Sequence, residues 1–168
     1  MMELEMKQQG ERCFGYHEGV LLYQADLQVI KNVYHLQVYN AFHDEILTIE
    51  YEKIGFSLFK EKQSEIVFEM QGIQGVLVPQ ERTYELRWND CSYIFVCGDF
   101  TDRMDVIMRD QNETLGYVEY QTMHVKHMMY SAYLFAIWFL MQKRRHLKMR
   151  VFMESEKFER AMKEVKSL

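Results

Sequence analysis

Met128-Met129-Tyr130-Ser131-Ala132-Tyr133-Leu134-Phe135-Ala136-Ile137-Trp138-Phe139-Leu140-Met141 is the stretch on which the fold turns. It holds no Gly, no Pro and no charge. A helix that is apolar all round must be buried all round. A bilayer span needs about 20 such residues, more than this run supplies. Lys126 and His127 bound it on one side, and Gln142-Lys143-Arg144-Arg145 on the other. The expectation is therefore a helix buried inside a protein rather than a membrane segment. Ser131, its one Ser or Thr hydroxyl, should bond back to a carbonyl one turn earlier.

What precedes the run alternates with period two, the mark of half-buried strands. Tyr34, Leu36 and Val38 alternate with His35 and Gln37; Leu47, Ile49 and Tyr51 alternate with Thr48 and Glu50. Ile66, Phe68 and Met70 oppose Glu65 and Glu69, and Tyr84, Leu86 and Trp88 oppose Glu85 and Arg87. Met104, Val106 and Met108 face away from Asp105 and Arg109. Further candidates are Gly19–Tyr23, Gly55–Phe59, Gly75–Val78, Cys91–Cys97 and Thr114–Tyr120. The Cys91–Cys97 segment is apolar on both faces, so both faces should be covered. Turn residues separate the segments: Gly72, Asn89-Asp90, Gly98-Asp99 and Asp110-Gln111-Asn112. Such spacing belongs to antiparallel sandwiches and barrels. One way to bury an all-apolar helix there is to thread it through the barrel.

The expected fold is thus mainly β: one domain over residues 1–168, an antiparallel barrel or closed sandwich with the apolar helix buried in it. Beyond it, Leu147, Met149, Val151 and Met153 alternate like a strand, though a continued helix fits as well. Phe158, Ala161, Met162 and Val165 form a helical stripe, with Ser155 as N-cap and Glu156 near the helix dipole. A short amphipathic C-terminal helix is expected there.

Composition is that of a globular chain: 168 residues, 48% hydrophobic and 27% charged, with net charge −5. That charge does not suit a general nucleic-acid binder. The N-terminus, Met1 to Glu11, is polar, with no apolar core of a secretory signal. Cys13, Cys91 and Cys97 form no CxxC pair. Cys91 and Cys97 should share one strand, roughly 20 Å apart at ~3.3 Å per residue, too far to bridge. Thiols acting as small core hydrophobes in a reducing cytoplasm are expected.

Three stretches carry a family resemblance. They are Gly98-Asp99-Phe100, Met104-Asp105-Val106-Ile107-Met108-Arg109-Asp110 and Leu115-Gly116-Tyr117-Val118-Glu119. This sequence resembles tubby C-terminal-like proteins, closest to the LURP-one-related branch and its bacterial relatives. The resemblance covers roughly Gly10 to Arg145 and implies a closed barrel of about twelve strands around a central hydrophobic helix. The chain departs from the pattern at Asp110-Gln111-Asn112-Glu113-Thr114-Leu115-Gly116, where a shorter Asp–Gly turn is usual, and in the length of chain after the helix. In animal tubby proteins the barrel binds phosphoinositides through Lys and Arg; no such residue is carried over to this sequence.

No catalytic signature is present: no serine sits in a G-x-S-x-G elbow. Gly72-Ile73-Gln74-Gly75 lies between strands rather than before a helix, so it reads as a turn, not a phosphate loop. His124 and His127 would point to opposite faces of a strand. Asp99, Asp102 and Asp105 lack the EF-hand glycine and terminal Glu, and read as a solvated acidic turn. No metal or cofactor is expected.

One cluster has functional promise. Lys143, Arg144, Arg145, Lys148 and Arg150 crowd into eight residues, a quarter of the 20 Lys and Arg. Basic residues near an anionic membrane each contribute ~1 kcal/mol; cations also suit a helix C-terminus, at ~0.3–1 kcal/mol. The expected function is a non-enzymatic cytoplasmic binding module, peripheral to the membrane when engaged. Its ligand would be an anionic lipid or phosphate-bearing molecule. The alternative is a scaffold whose tail helix, Ser155–Leu168, packs on a protein partner or a second copy.

Overall fold

The computed structural model describes residues 1–31, 33–52, 66–70, 73–79, 83–88, 91–100, 103–110 and 112–145. Among these the chain forms twelve strands and one helix. The strands are β1 (Met2–Gln9), β2 (Arg12–His17), β3 (Val20–Ile30), β4 (Val33–Asn40), β5 (Glu45–Glu52) and β6 (Ile66–Met70). They continue with β7 (Ile73–Pro79), β8 (Thr83–Trp88), β9 (Cys91–Phe100), β10 (Arg103–Arg109), β11 (Thr114–Glu119) and β12 (Thr122–Val125). Helix α1 (Met128–Arg145) follows. The expectations for Gly55–Phe59, Leu147–Met153 and Ser155–Leu168 fall outside the described residues.

Every strand pairs antiparallel with its sequence neighbours, and β1 pairs with β12 as well as β2. The order therefore runs β1-β12-β11-β10-β9-β8-β7-β6-β5-β4-β3-β2 and returns to β1, the order of a closed barrel. The alternation sorts side chains as the period-two pattern requires. Leu4, Met6, Ala25, Leu27, Leu36, Val38, Leu47, Ile49, Tyr84 and Leu86 are buried, while residues between them are half-buried or exposed.

Three strands go beyond the segments read from the sequence. β1 lies in the stretch read only as polar, yet its Leu4 and Met6 are inward and buried, between the exposed Glu3, Glu5 and Lys7. In β2 the alternation is obscured because Gly15 takes a buried position while the aromatic Phe14 and Tyr16 are half-buried, and β12 alternates cleanly at Met123 and Val125 but is only four residues long. β9 also runs through Gly98 and Asp99, where a turn was expected, because those residues pair with Asp105 and Met104 of β10. The doubly covered wall is β10–β11 rather than β9. Asp105, Ile107 and Tyr117 point outward and are buried along with the inward Val106, Met108 and Val118. On β9, Ile94 and Val96 are only half-buried. Asp105, 2% exposed within a strand, is thus no solvated turn residue.

The helix fills the interior. Every residue from Ser131 to Met141 is buried. Ser131 Oγ donates to the Met128 carbonyl at 2.6 Å, the expected back-bond. Tyr23 of β3 lies 2.7 Å from the same oxygen; since the Ser131 proton is committed, Tyr23 donates. Gly116 of β11 lets the helix approach: a Cβ there would sit 3.2 Å from Leu134 Cδ2 and 2.6 Å from the His124 carbonyl. Between α1 and β8–β9 the gap is taken up by rings. Trp88 and Tyr93 meet Tyr133 at 6.2 and 5.7 Å between centroids, and Tyr93 meets Tyr130 at 6.0 Å. Burial holds Tyr93 and Tyr133 protonated, with Tyr133 pushed up to about 12.

The thiols divide. Cys13 is wholly buried, as a core hydrophobe should be, but Cys91 is exposed at the start of β9. Burial pushes the Cys13 thiol from 9.0 up to about 12, outweighing the Phe14 backbone hydrogen bond and the Lys143 charge, both of which lower it. The folded state therefore holds this proton more tightly than the unfolded chain. Its contribution to stability is complete below pH 9 and is lost as pH climbs towards 12. Urea titrations across that window should show stability falling by up to ~1.4 kcal/mol per pH unit, with a shallower fall in Cys13→Ala.

Candidate anionic-surface site

An up-and-down order puts alternate turns on the same rim. Helix α1 starts at the rim carrying the β2–β3 and β4–β5 turns, where Tyr23 holds Ser131. It ends, about 27 Å away at 1.5 Å per residue, at the rim carrying the β1–β2, β3–β4 and β11–β12 turns. Lys143, in the last turn, reaches Glu11 of the β1–β2 turn at 3.1 Å. That contact fixes where the basic cluster leaves the barrel.

The five cations of the cluster do not share one role. The Lys143 side chain is 13% exposed, lies 5.8 Å over the Phe139 ring and is engaged by Glu11. Lys143 thus anchors the helix end and is poorly placed to meet a ligand. Arg144 and Arg145 are the last two helical residues and stand at the exit. Lys148 and Arg150 lie outside the described residues. Three cations at a helix C-terminus also suit its dipole.

Around the exit lie residues that sequence patterns did not single out. The three turns follow one another along the rim, and two of them are bonded to the next strand: Met6 N–H of β1 to the Gln121 carbonyl, and Leu27 N–H of β3 to the Glu11 carbonyl, each 2.9 Å. The β11–β12 turn presents Tyr120, 65% exposed. The end of β3, at the β3–β4 turn, presents Val29 and Ile30, 54% and 52% exposed, beside exposed Lys31. Tyr120 and Gln121 both have positive φ, 52° and 68°, the backbone of a two-residue hairpin that favours Asn-Gly. An aromatic residue held there costs on the order of 1 kcal/mol. The rim is mixed in sign: Arg12 lies 3.6 Å from Asp26, and Glu11 is taken by Lys143. The signal for this rim was present as the adjacent apolar pair Val29-Ile30 ahead of Lys31, but only the pairing of strands joins it to the helix end.

The other candidates are not brought together. His124 stacks on Tyr117 at 4.7 Å and meets Glu3 at 3.2 Å on the barrel's outer face. His127 lies between β12 and α1, exposed beside Tyr130. Gly75 lies inside β7, where a Cβ would meet the Arg87 carbonyl of β8; Gly72 is outside the described residues. Among the described residues no group of three or more His, Cys, Asp or Glu is placed to hold a metal ion, and no helix is long and apolar enough to cross a membrane.

No family model, no curated protein and no solved structure matches this chain.

Proposed function

We propose that this protein is a non-enzymatic binding module that recognises an anionic ligand, a phospholipid head group at a membrane surface, through the rim where α1 leaves the barrel. The observation that carries it is that α1, whose last two residues are Arg144 and Arg145, ends at the rim where Lys31, Val29, Ile30 and Tyr120 are exposed. Arg144, Arg145 and Lys31 would attract anionic head groups, while Val29, Ile30 and Tyr120 offer apolar and aromatic contact at the interface. Tyr120 supports it further, because a strained, exposed aromatic in a turn marks a place where local preference gives way to use. Affinity with the tubby C-terminal-like and LURP-one-related proteins belongs to the same proposal. It rests on strands followed by a buried helix and on the Gly98–Phe100, Met104–Asp110 and Leu115–Glu119 stretches. The corresponding location is the cytoplasm, peripheral to the membrane.

Co-sedimentation with vesicles tests it. The protein should pellet with equimolar phosphatidylcholine–phosphatidylserine, fail to pellet with phosphatidylcholine alone, and be released by high salt. Arg144→Gln with Arg145→Gln removes two charges at ~1 kcal/mol each, so the partition coefficient should fall about thirtyfold. Unchanged binding in that double variant would remove the rim from the function.

A further inference from the structure

The opposite rim, where α1 enters, has a different character. Nine large hydrophobic residues are well exposed among the described residues, and six belong to this end: Met1, Val20, Phe42, Ile73, Met128 and Met129. Five of them follow one another along the rim, from the helix start through β1 and the β2–β3 turn to the β4–β5 turn. Phe42 is 87% exposed at its turn tip and Met129 is 67% exposed. Single exposed apolar residues are ordinary; a run along consecutive turns marks a contact surface. Methionines make such a surface adaptable to an incoming apolar stripe. The connections on this rim carry the carboxylates Glu18, Asp44, Glu45, Asp110 and Glu113, against the cations Arg109 and Lys126. Lys126 is already held by Glu113 at 2.7 Å.

The chain itself holds the complement. Residues 1–145 carry 14 Lys and Arg against 21 Asp and Glu, a net −7. Residues 146–168, beyond α1, carry six against four, a net +2, with the apolar series Phe158, Ala161, Met162 and Val165 among Lys157, Arg160 and Lys163. This segment follows α1 in the chain, and α1 ends at the rim remote from the acidic, apolar one. A second copy stacked end-on can meet it directly.

We propose that the helix-entry rim of one copy receives the basic C-terminal segment of a second copy, head to tail. The contact joins two different surfaces, so it does not close on itself and adds further copies. Opposite charge steers the approach and the apolar rim holds it. It goes beyond the lipid reading and stands separately from it, since it uses Lys157, Arg160 and Lys163 and the far rim.

Sedimentation velocity of the full chain at low salt, over rising concentration, tests it. The weight-average sedimentation coefficient should climb without a plateau and collapse at high salt. Phe42→Asp with Met129→Asp should weaken association by at least about tenfold, and so should Lys157→Glu with Arg160→Glu and Lys163→Glu. Adding Glu18→Lys, Asp44→Lys and Glu45→Lys to that tail variant should restore assembly. The substituted rim residues are exposed, and unchanged melting temperatures would confirm intact folds. A wild-type chain that stays monomeric, a dimer that saturates, assembly indifferent to the Phe42–Met129 pair, or a charge swap that fails to restore it would each overturn the proposal. Vesicle binding of the Phe42–Met129 variant should equal wild type, so loss of self-association and loss of lipid binding are read apart.

Discussion

Phe135→Ala should lower the stability of this protein by about 3–5 kcal/mol, the range for truncating a buried phenylalanine. The ring is wholly buried near the middle of α1. It lies 5.6 Å from the Tyr23 ring, and its Cε2 would be 3.3 Å from a Cβ on Gly15 of β2. Helix and wall are locked by this one side chain. Cavity cost depends on how far neighbours can collapse. Here they are strands with two hydrogen-bonded partners each, so little relaxation is available. Equilibrium urea unfolding would measure the loss as a drop in midpoint. Met129→Ala is the control: the residue is 67% exposed at the start of the same helix, and its change should stay within about 0.5 kcal/mol. Equal effects of the two substitutions would mean that the helix is not packed inside the barrel.

Gly116→Val should be as damaging for the opposite reason. The first added carbon would lie 2.6 Å from the His124 carbonyl oxygen, 2.8 Å from Val125 Cγ1 and 3.2 Å from Leu134 Cδ2. The carbonyl belongs to β12, which Gly116 faces across the β11–β12 ladder at Val125. Backbone on one side and the helix on the other leave nowhere for the methyls to go. Overpacking of a dense core costs about 1–3 kcal/mol and sometimes more; a rigid carbonyl as the obstacle puts this case at the upper end. Thermal melting of Gly116→Ala beside Gly116→Val would show whether the cost grows with side-chain size, as crowding requires. Equal melting of both variants and wild type would deny the close approach of α1 to β11.

Much of the fold was legible because its two periodicities are clean. Strands such as Tyr34–Val38 and Tyr84–Trp88 announce themselves by alternation, and the helix by the lack of any polar face. β1 was missed although Leu4 and Met6 alternate with Glu3 and Glu5, because charge on the solvent face hid a two-residue repeat. The turn expected at Gly98-Asp99 was displaced because pairing with β10 outweighs local turn preference. Cys91 was expected inside, but its place at a strand end leaves it at the rim. The candidate site was legible only as a cluster of charge in the chain.

The sequence by itself determined an antiparallel β protein with a buried helix near its end, because burial of a fully apolar segment and alternation of strand faces are local facts. It also determined where charge accumulates along the chain. Only the tertiary structure decided which residues stand beside that charge. Pairing of β1 with both β2 and β12 sets the order of turns around each rim, and so places Val29, Ile30 and Tyr120 beside the exit of α1. The same pairing gathers Val20 and Phe42 with Met128 and Met129 at the entrance. It also ties Lys143 to Glu11, residues far apart in the chain, making that cation of the cluster a structural one. Distances between such residues are set by hydrogen-bond register around the sheet, and no spacing along a chain records that.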